Sequence, residues 1–292
     1  MKKLVSTMAL VGFFCLSLFA QTPEVLKSDG ISAETQEQYE AAAKAFEAAA
    51  KAFHAQNIID TVCIYHAGAN YARINQHEKA IPFLQESIEL GYNVGRASRL
   101  LSDAFFGLKD VEKAEAALLA GKSNVPEEEF EFDKKLAYLY FNSGQYERSA
   151  EFFEKVLTQA PQNKNYLYLY GFSLERIKKY QEAMAIFEEM QQLFPNDKRA
   201  RKMLGIVLFE LTDERNTKEV ANYESNKGAK LEDYINTKKR LENINAGYEK
   251  ARLLLEQALK DFPNDKQLIH TLYKTYKKQS KEEEAAKMKS RL

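Results

Sequence analysis

Four small residues frame this chain: Ala80, Ala114, Ser149 and Ala183, separated by 34, 35 and 34 positions. A drift of one position over four units marks a repeat whose period is one supersecondary element. Each of the four has a small partner upstream, at Gly68, Ser102, Ala137 and Gly171. Apolar residues three and four apart around both members predict two short amphipathic helices per period. A small residue on each helix lets the pair approach closely, and the large side chains of Tyr71, Phe105, Tyr140 and Leu174 fill the space between units. No single helix pair can bury its apolar face, so neighbours bury it by stacking.

The clearest unit is Asn165 to Asp197, NYLYLYGFSLERIKKYQEAMAIFEEMQQLFPND. Its Leu167, Tyr170-Gly171, Leu174, Ala183, Phe187 and Pro195 resemble the large-x2-Leu-Gly-x2-Tyr … Ala-x3-Phe … Pro signature of the tetratricopeptide repeat family. An earlier unit carries Ile64, Ala67-Gly68, Tyr71, Ala80 and Leu84. The next carries Leu101-Ser102, Phe105, Ala114, Leu118 and Pro126, and the third Leu136-Ala137, Tyr140, Ser149, Phe153 and Pro161. The resemblance implies an all-α fold, an α-solenoid of stacked helix-turn-helix repeats forming a right-handed superhelix. The units fall at about 61–94, 95–129, 130–163, 164–197 and 198–265, with a capping unit at 266–292. That last unit carries Ile269, Leu272-Tyr273, Tyr276 and Ala285, and its charged second helix suits a terminal cap with a solvated face.

Two segments depart from the pattern. Between Thr212 and Gly247 the chain is polar, with Gly228 after Ser225-Asn226-Lys227. A degenerate repeat could fill this gap, since Ala251 lies 68 positions after Ala183. A lengthened hairpin is favoured, because Tyr234, Leu241, Ile244, Tyr248, Ala251, Leu255 and Ala258 form one helical stripe from about Leu231 to Asp261. At the other end, Pro23 to Ile31 is polar and without period, which reads as a flexible leader. Ala33 to Phe53 reads as an N-terminal capping helix, with Tyr39, Ala42, Phe46, Ala49 and Phe53 on one side, so that 21–56 stands ahead of the array.

Residues 1–20 have Lys2-Lys3, an uncharged apolar run from Leu4, and Leu18-Phe19-Ala20 before Gln21. This pattern predicts a secretory signal peptide cleaved after Ala20, hence an exported and most simply periplasmic chain, with an outer-membrane or surface location as the alternative. The run is short for a membrane span, so an uncleaved anchor is the weaker reading, and cleavage would leave no span. Cleavage would also take away Lys2, Lys3 and no acid, moving the formal charge from zero to −2, and leave Cys63 as the one cysteine. Such a chain has no internal disulfide and depends on packing. The charge balance offers no basic excess for nucleic acid.

No phosphate loop, nucleophile elbow or zinc-protease motif is present, and the sequence calls for neither catalysis nor cofactor. Cys63 and His66 share a helix face but are too few for a structural zinc site, and His77 is expected exposed at a turn. In the resembled family the first helices line a concave groove that holds protein segments. That register, carried onto this chain, gives Tyr65, Ala69 and Arg73, then Arg96, Arg99, Asp103 and Phe106, in the first two units. The third gives Glu131, Lys134, Tyr138 and Phe141. The fourth and fifth give Asn165, Tyr168, Phe172 and Arg176, then Arg199, Lys202, Ile206 and Phe209. Members within each unit recur three or four apart and so share a face. The implied role is a non-enzymatic envelope scaffold whose groove binds a protein or peptide segment. Alternatives are a structural spacer or oligomer subunit, or a saccharide-binding or enzyme-accessory subunit. The lysines and asparagines with which some family members clamp a terminal carboxylate are missing: Tyr65 and Ala69 stand in two of those places.

Overall fold

The computed structural model describes residues 21–228 and 230–292. The expected signal peptide, with Cys15, lies outside the described residues. Among them the chain is a succession of α-helices without a strand, each packed on the next within two compact units, one ending at Leu108 and the other beginning at Lys109.

The first unit holds α1 (Pro23–Thr35), α2 (Tyr39–Ala55), α3 (Thr61–Arg73), α4 (His77–Glu89) and α5 (Val94–Gly107). The flexible leader expected at Pro23 to Ile31 is corrected here, because those residues are helical. Thr22 caps α1, its hydroxyl accepting from the Val25 N–H, and Pro23 sits where a missing N–H costs nothing. α1 and α2 pair as the later helices do. A Cβ on Gly30 would stand 3.0 Å from the Phe46 ring, which is fully buried. The same closeness recurs at Gly68 against Leu84, also at 3.0 Å. Leu26, Gly30, Ala42 and Phe46 thus repeat the order of Ile64, Gly68, Ala80 and Leu84, so the segment ahead of Thr61 is a helix pair in its own right. Burying one phenylalanine contributes about 1.5–3 kcal/mol, enough to hold a short, weakly amphipathic helix in place.

The second unit holds α6 (Val111–Asn124), a 3-10 turn at Pro126–Glu128, α7 (Glu129–Asn142), α8 (Tyr146–Gln159), α9 (Lys164–Arg176) and α10 (Tyr180–Leu193). It continues through α11 (Lys198–Ser225), α12 (Leu231–Asp261), α13 (Lys266–Lys278) and α14 (Glu282–Lys289). Its core runs from Leu167, Leu174 and Phe187 through Met203 and Val207 to Tyr248, Leu255 and Leu272. The Tyr248 hydroxyl donates to Asp213 at 2.6 Å, which satisfies the one polar atom of a buried ring.

The turn inside each short pair uses one residue in the left-handed region, at Glu37, Asn75, Gly144, Lys178 and Ser280, and Lys109, between α5 and α6, has the same conformation. Each lies seven positions after the small or packing residue of its first helix, so backbone and side-chain periods are the same period. Asp60, Asp110, Asn163, Asp197 and Asp265 open the following helices, their side chains accepting from backbone N–H groups. The α11–α12 pair differs. Its helices have 28 and 31 residues, its turn has no left-handed residue among those described, and its outer half stands clear of the core: buried residues end at Thr212 on α11 and resume at Thr237 on α12.

Candidate functional site

In the first unit, α3 and α5 turn parallel rows of side chains onto a cleft of about 470 Å3. Ala69, Ala72 and Arg73 come from α3, and Arg96, Leu100, Asp103 and Phe106 from α5. His77, the first residue of α4, and Gly107 also line the cleft. Arg73 and Arg96 are exposed, and no carboxylate pairs with either among the described residues. Arg73 is steadied from one side, its guanidinium 4.4 Å above the Tyr39 ring. Phe106 is half-buried and gives the wall its apolar part. The structure therefore gathers Arg73, Arg96 and Phe106 in one place, with Ala69 and Asp103. Arg99, one residue from the lining and half-buried, already makes an intramolecular contact, as does Asp103.

Tyr65 is a correction. It is 3% exposed, enclosed by His66 and Tyr92 at ring distances of 5.2 and 5.8 Å, and cannot line an open surface. Burial pushes its phenol up, against the pull of Arg96 and Arg73. The hydroxyl has no hydrogen-bond partner among the described residues.

His77 is a second correction, since it is half-buried and not exposed. Its Nδ1 is enclosed without a partner among the described residues. A Cβ on Gly107 would fall 2.2 Å from Nε2, so any larger residue there would force the His77 ring to shift. Two signals could have found it: a histidine at a helix start, and a glycine closing the next first helix. Cys63 is fully buried, and desolvation together with nearby Asp60 pushes its thiol up to about 12, which makes it unreactive. His66 Nδ1 is 2.8 Å from Glu34, a partner on α1, whose helix the residue pattern does not announce. No group of three or more His, Cys, Asp or Glu able to hold a metal occurs among the described residues.

In the second unit the anticipated groove is largely taken up by its own side chains. Phe209 is fully buried against Tyr248 at 5.8 Å and is withdrawn from the surface set, as is Ile206 at 1% exposure. Lys202 donates to Asp265 at 2.7 Å and lies over the Phe262 ring. Lys134 donates to Glu131 at 2.6 Å and stands over Phe130. Tyr138 meets Phe153 edge-on at 5.5 Å. Phe141, Tyr146, Phe172 and Tyr168 form one half-buried aromatic cluster, with Arg176 over Tyr146 and Arg199 over Tyr168. Nearby Glu175 is buried, which raises its pKa despite Arg176, and Gln267 of α13 donates to it at 3.4 Å. α9, α11 and α13 are therefore tied across this face by contacts within the chain.

No helix among the described residues is long and apolar enough to cross a membrane. A family model for anaphase-promoting complex, cyclosome, subunit 3 matches residues 127–190. No curated protein matches the sequence. Among solved structures, a MamA protein is similar over 59% of this chain and 91% of its own, at 19% identity and a TM-score of 0.51. MamA 41-end from Desulfovibrio magneticus RS-1 is similar over 60% and 96%, at 18% identity and a TM-score of 0.51. YrrB, a TPR protein with an unusual peptide-binding site, is similar over 60% and 88%, at 15% identity and a TM-score of 0.49. The recurring small residues, the paired short helices and the likeness to MamA lead to one conclusion: this chain is built on the tetratricopeptide repeat fold.

Proposed function

We propose that the protein is a non-enzymatic scaffold that holds a protein segment in the α3–α5 cleft. The observation that carries this reading is the pair of exposed, carboxylate-free arginines, Arg73 and Arg96, beside the half-buried ring of Phe106 in a cleft of about 470 Å3. That size is within the usual range for a binding pocket, and a basic wall with an aromatic anchor suits a segment bearing acidic and apolar side chains. The fold supports the reading at the coarse level, since it is one used for protein–protein interaction. The lysine-led and apolar stretch at residues 1–20 supports export, and with it a partner in the cell envelope, where a scaffold would serve assembly of a complex.

The test is crosslinked capture from the native source with a photoreactive residue in place of Leu100, which lines the cleft. The expected product is one dominant adduct, lost when Arg73 and Arg96 are both changed to glutamate in a chain of unchanged helicity. Adducts equal in the two proteins would remove the cleft from the function. For export, the mass of the purified native chain should begin at Gln21. A chain that retains residues 1–20 would defeat that part.

A further inference from the structure

The outer half of the α11–α12 hairpin exposes an apolar strip. Leu231 is 75% exposed, Ile235 55% and Tyr234 51%, and Tyr223 and Val220 on α11 are exposed as well. Single exposed apolar residues are ordinary, but five between 220 and 235 are a patch. Beside it, Tyr223, Tyr234, Thr237, Lys238 and Leu241 line a shallow cleft of about 330 Å3. Two contacts join its helices: Arg240 donates to Glu219 at 2.7 Å, and the Tyr223 and Tyr234 rings lie 6.4 Å apart.

We propose that this strip docks on the same strip of a second copy of the chain, with the two α12 helices antiparallel. Charge selects the occupant. Glu232, Ile235 and Lys239 are spaced i, i+3 and i+7, so acid, isoleucine and base share one edge of α12 in that order. Neither Glu232 nor Lys239 has a partner among the described residues. A twofold axis beside Ile235 sets each Glu232 opposite Lys239 of the other copy, twice over, and brings the isoleucines together. A parallel pairing about a twofold along the helices would set the two edges on opposite sides of the seam, so that no acid meets a base. The edge is thus its own complement in one orientation only.

Sedimentation velocity of the purified chain over a wide concentration range is the test. A concentration-dependent dimer is expected. Changing Leu231 and Ile235 together to aspartate should abolish it with helicity intact. Glu232→Lys and Lys239→Glu should each weaken it by roughly tenfold, because each reversal turns two symmetric contacts repulsive. The double variant, with the charges exchanged, should regain the dimer. A monomer at every concentration would overturn the proposal, as would a dimer indifferent to the aspartates or a double variant no better than the singles. A monomer that instead co-sediments through this hairpin with anionic phosphatidylglycerol vesicles would also overturn it, giving the strip to a lipid surface. All four positions are exposed and outside the core, so the charge exchange separates pairing from folding.

Discussion

A Cβ on Gly171 would stand 2.8 Å from the far edge of the Phe187 ring, and that ring is fully buried. The ring has no free space to move into, so a larger residue must part α9 from α10. Gly171→Leu is expected to destabilise the chain by about 1–3 kcal/mol or more, read as a lower midpoint in urea. An unchanged midpoint would mean that the two helices do not meet there. Asp197 supplies a residue-scale test in pH. Burial alone would raise its carboxyl; donation from Lys164, Arg199 and the Ala200 N–H outweighs this and holds it at about 2. A folded pKa below the ordinary 3.8 means stability that is present above that value and is lost as pH falls toward 2. Asp197→Asn should therefore be less stable than wild type by about 1–2 kcal/mol at pH 7 and close to it near pH 2. A constant difference across that range, measured by thermal melting, would show that the ionised form is not what matters.

Elements differ in how far they could be read from their own residues. The stripe from Tyr234 to Ala258 lies along α12, because a 3.6-residue period on one long helix is a local signal. α1 could not be read that way. Ser28-Asp29-Gly30 has the composition of a turn, and its helix is decided by what lies outside it, the ring of Phe46 against Gly30. Tertiary packing overrode local propensity there. The outer hairpin shows the opposite balance, with good helix formers and little packing, since no residue from 213 to 236 is buried among those described. Opening is therefore easiest at its tip, where Asn226, Lys227, Gly228 and Lys230 are exposed. Trypsin in dilute solution should cut first at Lys227 or Lys230. A first cut inside the short pairs, between α3 and α4 or between α9 and α10, would contradict this ordering.

At the scale of the whole molecule the charge cancels, with 42 basic and 42 acidic residues, so any steering of a partner must come from how charge is distributed. The sequence period shows which face of its own helix a residue occupies. It does not show how closely later segments cover that face, which is why Tyr65, closed over by Tyr92 of the α4–α5 turn, and Phe209, closed over by Tyr248 of α12, drop out of the surface set while Arg73 and Arg96 remain. Lys202 stays on its helix face but is neutralised by Asp265, 63 positions away, a pairing that no local pattern announces. What remains open separates two terms of binding. Arg96 is exposed at the cleft and so acts at a distance, before contact. Phe106 is half-buried and acts only on contact. With the partner segment recovered by crosslinking, Arg96→Glu should mainly slow association and flatten its dependence on salt. Phe106→Ala should mainly speed dissociation, at a cost of about 2 kcal/mol if the ring is a true anchor. Stopped-flow rates at two salt concentrations distinguish these effects. If both variants, folded by circular dichroism, bind with wild-type rates, the segment does not sit between α3 and α5.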